Sequence, residues 1–95
     1  MIKIVKLQKT CPYCPSQWDA WTDEGYPIYI KYRWGHLQVR KGLFGKSVAN
    51  AIFGYSIVDK QVGEPMDGYM EFKELKEATK DKIIFDCKEE LYENK

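Results

Sequence analysis

The tetrapeptide Cys11-Pro12-Tyr13-Cys14 is the first place in this 95-residue chain where residue types and spacing suggest chemistry. Two thiols at this spacing are written like a glutaredoxin active site and also like one half of a zinc site. The redox reading needs the pair between a strand and a long helix, whose N-terminal dipole lowers the pKa of the first thiol. IKIVKL at 2–7 supplies the strand, but Gly25 and Pro27 stop any helix soon after the motif. Strand-like sequence then begins where the crossover helix of a parallel unit should still be running. The chain is therefore not expected to be a redox enzyme.

A zinc site would combine Cys11 and Cys14 with His36 and Cys87 in a Cys₃His set. His36 and Cys87 come from no second motif, however. His36 reads equally as an exposed turn residue, and Cys87 as a small buried apolar one. A Cys14–His36 nucleophile pair has no local support, and neither a phosphate loop nor a G-x-S-x-G run occurs. The expectation is a non-enzymatic protein with no cofactor and no catalytic residues, the small structural-zinc protein standing as an alternative.

The elements that would position a site come next. Ninety-five residues suit one domain, 1–95, with one core. The composition is 44% hydrophobic and 31% charged, as in globular domains, with aromatics at 15%. No apolar run approaches the roughly 20 residues that cross a bilayer. The start MIKIVKLQK is too short and lysine-broken for a secretory signal. Three cysteines do not suit a disulfide-stapled scaffold. A cytoplasmic protein without membrane contact is expected.

Alternation marks 2–7 as a strand. Ser16 and Asp19 match a capping box, which predicts a helical turn over 17–22 ended by Gly25, with Trp18 and Trp21 on one face. The clearest element is YPIYIKYRWGHLQVRK at 26–41, a hairpin with Gly35-His36 as its two-residue loop. In that register Trp34 faces Leu37, Arg33 faces Gln38, Tyr32 faces Val39 and Lys31 faces Arg40. Ile28, Ile30, Tyr32, Trp34, Leu37 and Val39 are then expected to be buried. Residues 42–54 fit a short helix or a wide loop, 55–62 a strand, 70–79 a helix burying Phe72 and Leu75, 82–87 a strand, and 88–95 a polar helix. The fold class expected is α+β, a curved antiparallel sheet of four to five strands packed by one main helix.

The stretch CPSQWDAWTDEGYPIYIKYRWGHLQVR at 14–40, followed by GEPMDGYMEFKEL, resembles a group of small uncharacterised proteins of phages and bacterial genomes. The resemblance covers about half of the chain and implies a phage or prophage origin. Phage proteins of this size commonly bind, block or sequester a host component.

Charge is distributed unevenly along the chain. From Gly25 to Val58 there is no acid, yet Lys31, Arg33, Arg40, Lys41 and Lys46 are present. The segment 64–95 holds ten acids against six lysines, and the total is +1. On the hairpin, Lys31 opposite Arg40 would be repulsive. Either Glu71, Glu74 or Glu77 folds back onto the basic strand, or the face meets an anion. The second option gives the functional expectation: an anionic, nucleotide-like small molecule bound by Tyr29, Lys31, Arg33, Gln38 and Arg40, with sequestration of a host defence signal as its use. Tyr29 would stack, the cations would neutralise phosphates and Gln38 would hydrogen-bond. Polymeric nucleic acid is disfavoured by the low net charge. A homo-oligomer is expected, because a second copy would enclose such a ligand. The alternative is an inhibitor or adaptor that binds a host protein through Trp34 and Phe44.

Overall fold

Alternation of apolar and polar residues carries most of the chain into strands, and the pleat sends the two sets to opposite faces. In a computed structural model that describes residues 1–11, 13 and 15–91, the strands are β1 (Ile2–Cys11), β2 (Ser16–Thr22), β3 (Pro27–Arg33), β4 (His36–Lys41), β5 (Tyr55–Gln61), β6 (Ile83–Phe85) and β7 (Glu89–Leu91). Two short helices accompany them, α1 (Val48–Ala51) and α2 (Phe72–Ala78). All seven strands join one sheet in the order β5-β4-β3-β2-β1-β6, with β7 also paired to β1. The first five strands run antiparallel to their neighbours, whereas β6 and β7 lie parallel along β1. The sheet is thus mixed and larger than the four or five antiparallel strands expected, and neither helix dominates.

Its inner face buries Ile4, Leu7, Trp18, Ala20, Ile28, Ile30, Tyr32, Leu37, Val39 and Val58. The connection from β5 to β6 crosses this face and brings Met70 and Leu75 onto it. Phe72 meets Phe85 edge to face, with centroids 5.3 Å apart. α2 starts with a capping box between Glu71 and Glu74, and the Thr79 hydroxyl donates to the Leu75 carbonyl at its end. A lysine shares the inner layer. Lys9 lies over the rings of Trp18 and Tyr69 and donates to the Met70 carbonyl.

Three sequence expectations are corrected. Residues 17–22 are strand, not helix, because Trp18, Ala20 and Thr22 alternate with Gln17, Asp19 and Trp21. Trp18 therefore faces the core while Trp21 points to the other face, where Lys6 covers its ring. The stretch from Glu89 to Leu91 is strand rather than the expected helix; residues 92–95 lie outside the described residues. The third correction is the hairpin loop. It is Trp34-Gly35, one residue earlier than expected, with φ of 57° and 72° at the two positions. Arg33 therefore pairs with His36, Tyr32 with Leu37, Lys31 with Gln38, Ile30 with Val39 and Tyr29 with Arg40. The shift moves the partner by two positions, an even number, so each strand residue keeps its face. Only Trp34 leaves the core, for an exposed turn position.

The turn is tied down from outside. Gly35 N–H donates to the Asp67 carbonyl (2.6 Å), and its own carbonyl accepts from Val62 and Gly63 N–H. The Gln61 amide donates to the Trp34 carbonyl (3.0 Å), and the Tyr32 hydroxyl donates to the Asp67 carboxylate (2.7 Å). A Cβ on Gly35 would collide with the carbonyls of Gly63 and Glu64 and with the Gln61 amide. Both central residues at positive φ make a type I′ geometry, which favours Asn-Gly. A bulky residue there is strained by about 1–2 kcal/mol.

Trp34→Asn is therefore expected to raise unfolding stability by about 0.5–1 kcal/mol, the relieved strain less the ring's exposed stacking on Arg33. Gly35→Ala should lose at least about 2 kcal/mol, because collision adds to strain. Urea denaturation reads both, and a Trp34→Asn variant no more stable than the parent would show that the turn stores no strain. A pH dependence follows from Tyr32, whose hydroxyl is pushed up to about 12, first by burial, then by its hydrogen bond to Asp67 and the charges of Asp67 and Glu74. Since that value lies above the ordinary one near 10, the contribution is complete below pH 10 and is lost as pH rises from 10 through about 12. Tyr32→Phe should flatten that part of the fall in urea midpoint while costing about 1 kcal/mol at neutral pH.

Candidate functional site

The outer face of β3 and β4 carries the polar half of the alternation. Tyr29, Lys31 and Arg33 come from β3, and His36, Gln38 and Arg40 from β4. At the turn end of this face lies a cleft of about 380 Å³, lined by Lys31, Arg33, Trp34, His36, Gln38 and Gln61. The Arg33 guanidinium sits 5.2 Å from the centroid of the Trp34 ring, and that residue is 56% exposed. The strained turn thus presents a cation–aromatic pair at the cleft rim.

Of the five binding residues expected from sequence, Lys31, Arg33 and Gln38 come together in this cleft. Tyr29 and Arg40 lie further along the same face, opposite each other. Arg40 donates to the Gly54 carbonyl at 3.4 Å. Tyr29 sits across from Asp19 on β2, and its hydroxyl is pushed up by burial and then by the Asp19 charge. Asp19 is itself pushed up by burial. The repulsion expected between Lys31 and Arg40 is absent, because Lys31 faces Gln38.

Among the described residues, no acid forms an ion pair with the Lys31, Arg33 or Arg40 cations of this face: ion pairs join Lys3 to Asp86 and Lys80 to Glu77, and His36 is hydrogen-bonded to Asp59. Glu71 and Glu74 cap α2, on the other side of the sheet.

The zinc reading is not supported by the placement of its members. Cys14 and Pro12 lie outside the described residues. His36 is hydrogen-bonded to Asp59 on β5. It stands three strands from Cys11, roughly 14 Å at ordinary strand spacing. Cys87 packs partly buried against the core, and its thiol is pushed up by burial and then by Asp86 and Glu90, which disfavours thiolate. Among the described residues no group of three His, Cys, Asp or Glu side chains is placed to hold a metal ion. The redox motif likewise lacks its helix, since antiparallel β2 follows it.

Sequence reasoning misses Trp34, His36 and Gln61 as residues of this cleft. A signal for Trp34 exists: moving the loop one residue earlier keeps both faces and puts Ile30 opposite Val39. Gln61 becomes legible only once β5 is seen to pair with β4.

At the far end of the hairpin lies a second concavity of about 720 Å³, lined by Tyr26, Lys41, Leu43, Asn50, Phe53 and Tyr55 among others. Lys41 Nζ lies 3.9 Å from the Tyr26 ring centroid. Phe44 packs edge-on against Tyr26, and Leu43, Phe44, Phe53 and Tyr55 are all exposed. Trp34 and Phe44 therefore sit at opposite ends of β3, roughly 20 Å apart by strand length, and do not form one patch. Comparison of the chain with family models, with curated proteins and with solved structures finds no match.

Proposed function

We propose that the chain is a non-catalytic binding protein that holds an anionic, nucleotide-like small molecule in the outer-face cleft at the hairpin turn. One observation carries the reading: a bulky aromatic is kept in a left-handed turn position that glycine or asparagine would fill at lower cost, and it is stacked there on an arginine beside a second cation. Strain of this kind persists where the surroundings over-determine it, and it concentrates at functional sites. Here Gln61, Gly63 and Asp67 over-determine it. Lys31 and Arg33 supply charge for phosphate, Gln38 and Gln61 supply amide groups, and Trp34 supplies a flat wall. The Asp59 carboxylate holds His36 at the cleft floor.

The cleft is open on one side, and a second copy would cover it, so a homodimer that tightens on ligand is part of the proposal. In the phage setting that the resemblance implies, holding such a molecule without turning it over removes a host defence signal. A second reading rests on the other end of the hairpin. The exposed Leu43, Phe53 and Tyr55 line one apolar concavity, and the exposed Phe44 packs on its wall residue Tyr26; together they suit a protein partner, with Phe44 rather than Trp34 as anchor.

A thermal-shift screen against cyclic and linear nucleotides tests the proposal. Ligand at several hundred times its dissociation constant should add roughly 3–4 kcal/mol of stability. Arg33→Ala and Lys31→Ala should each shrink that gain, and Trp34→Asn should bind more weakly while starting from a more stable fold. Ligand recovered from the complex should be chemically unchanged; turnover would instead give the His36–Asp59 pair an acid–base role. No shift with any nucleotide, together with a partner lost on Phe53→Ser, would favour the second reading.

A further inference from the structure

A smaller cleft of about 180 Å³ adjoins the first and shares Arg33 and Trp34 with it, its remaining walls being Pro15, Met66 and Gly68. Its character is different. The first cleft is lined by two cations, a histidine and two amide side chains. The second has a thioether, a proline ring and a glycine backbone beside the stacked pair. Met66 is 85% exposed, on the segment that locks the turn, so its side chain is not spent on core packing. A flexible, polarizable thioether opposite an aromatic suits a flat ring. Gly68 lines the same cleft, and its position is fixed because its carbonyl accepts from Ser16 N–H at 2.8 Å.

From this juxtaposition we infer that the two clefts are compartments of one site, which takes a ligand with a phosphate on Lys31 and Arg33 and an aromatic base between Trp34 and Met66. This rests on the proposed anion site and narrows its ligand class to nucleoside phosphates, as against sugar phosphates or inorganic polyphosphate. Arg33 is the shared element: its guanidinium can bond phosphate while its plane covers the indole. Met66 is then a specificity-determining residue that touches the base and no charged group.

The test is a calorimetric titration of the full chain with the four common nucleoside monophosphates and with ribose 5-phosphate. At least one nucleotide should bind about tenfold or more tightly than ribose 5-phosphate, the scale expected for stacking of one base. Met66→Ala, whose fold is checked by circular dichroism, should narrow the nucleotide's advantage over ribose 5-phosphate by about threefold or more, since Trp34 still offers a ring face, and leave ribose 5-phosphate within about twofold of the parent. Lys31→Ala should weaken both. Equal binding of nucleotide and ribose 5-phosphate, or a gap left unchanged by Met66→Ala, overturns the two-compartment site and leaves the anion site standing. No binding of any of these probes overturns both.

Discussion

The left-handed turn at Trp34-Gly35 sets the geometry of everything on the outer face. Two consecutive residues at positive φ twist the chain in the sense that matches the flanking strands, so β3 and β4 close with no spare residue. That fixes Lys31 beside Gln38 and Arg33 beside His36, and it leaves the indole outside the sheet. Gly35 allows this because it has no Cβ: the carbonyls of Gly63 and Glu64 occupy the space one would need. The turn and the segment after β5 are therefore one unit. Any side chain at position 35 would push away the residues that hold the turn in its strained form.

The same segment fastens the two layers together. It leaves the turn at Asp67, accepts Ser16 N–H at the Gly68 carbonyl and donates Met70 N–H to the Ser16 hydroxyl (2.9 Å). Met70 then enters the core and Tyr69 covers Lys9. The ring faces of Trp18 and Tyr69 and one carbonyl replace part of the hydration of the Lys9 ammonium. Lys9 thus ties β1 to the strap that runs from the turn to Met70.

The polar and apolar faces of the hairpin are legible in the sequence because period-two alternation survives any even slip. The turn position is not, because a tryptophan at positive φ goes against local preference, and a reading by preference assigns the loop to Gly35-His36. Propensity fails where the structure carries strain, and that residue borders the candidate site. The 17–22 segment misleads for another reason. Its capping-box pattern rests on two residues, Ser16 and Asp19, whereas the alternation of Trp18, Ala20 and Thr22 runs the length of the element and decides it. The parallel edge is legible only in part: β6 lies within the strand read at 82–87, but its parallel pairing with β1 is not evident, and β7, three residues long, is too short for period to speak and is a strand because β1 offers it an edge.

Charge segregation explains how a chain with a net charge of +1 keeps a cationic cleft. The acids of α2 lie on the inner layer, and stacked layers stand about 10 Å apart. That distance is close to the Debye length at physiological salt, so for exposed groups much of the attraction across the sheet is screened. The local capping box occupies Glu71 and Glu74, and Lys80 occupies Glu77. On the outer face itself, Asp59 is held by His36, and Asp19 stands on β2, opposite Tyr29 in register. Lys31 and Arg33 therefore keep their charge free of the acids of α2 at the turn end of the outer face, with Arg40 further along it.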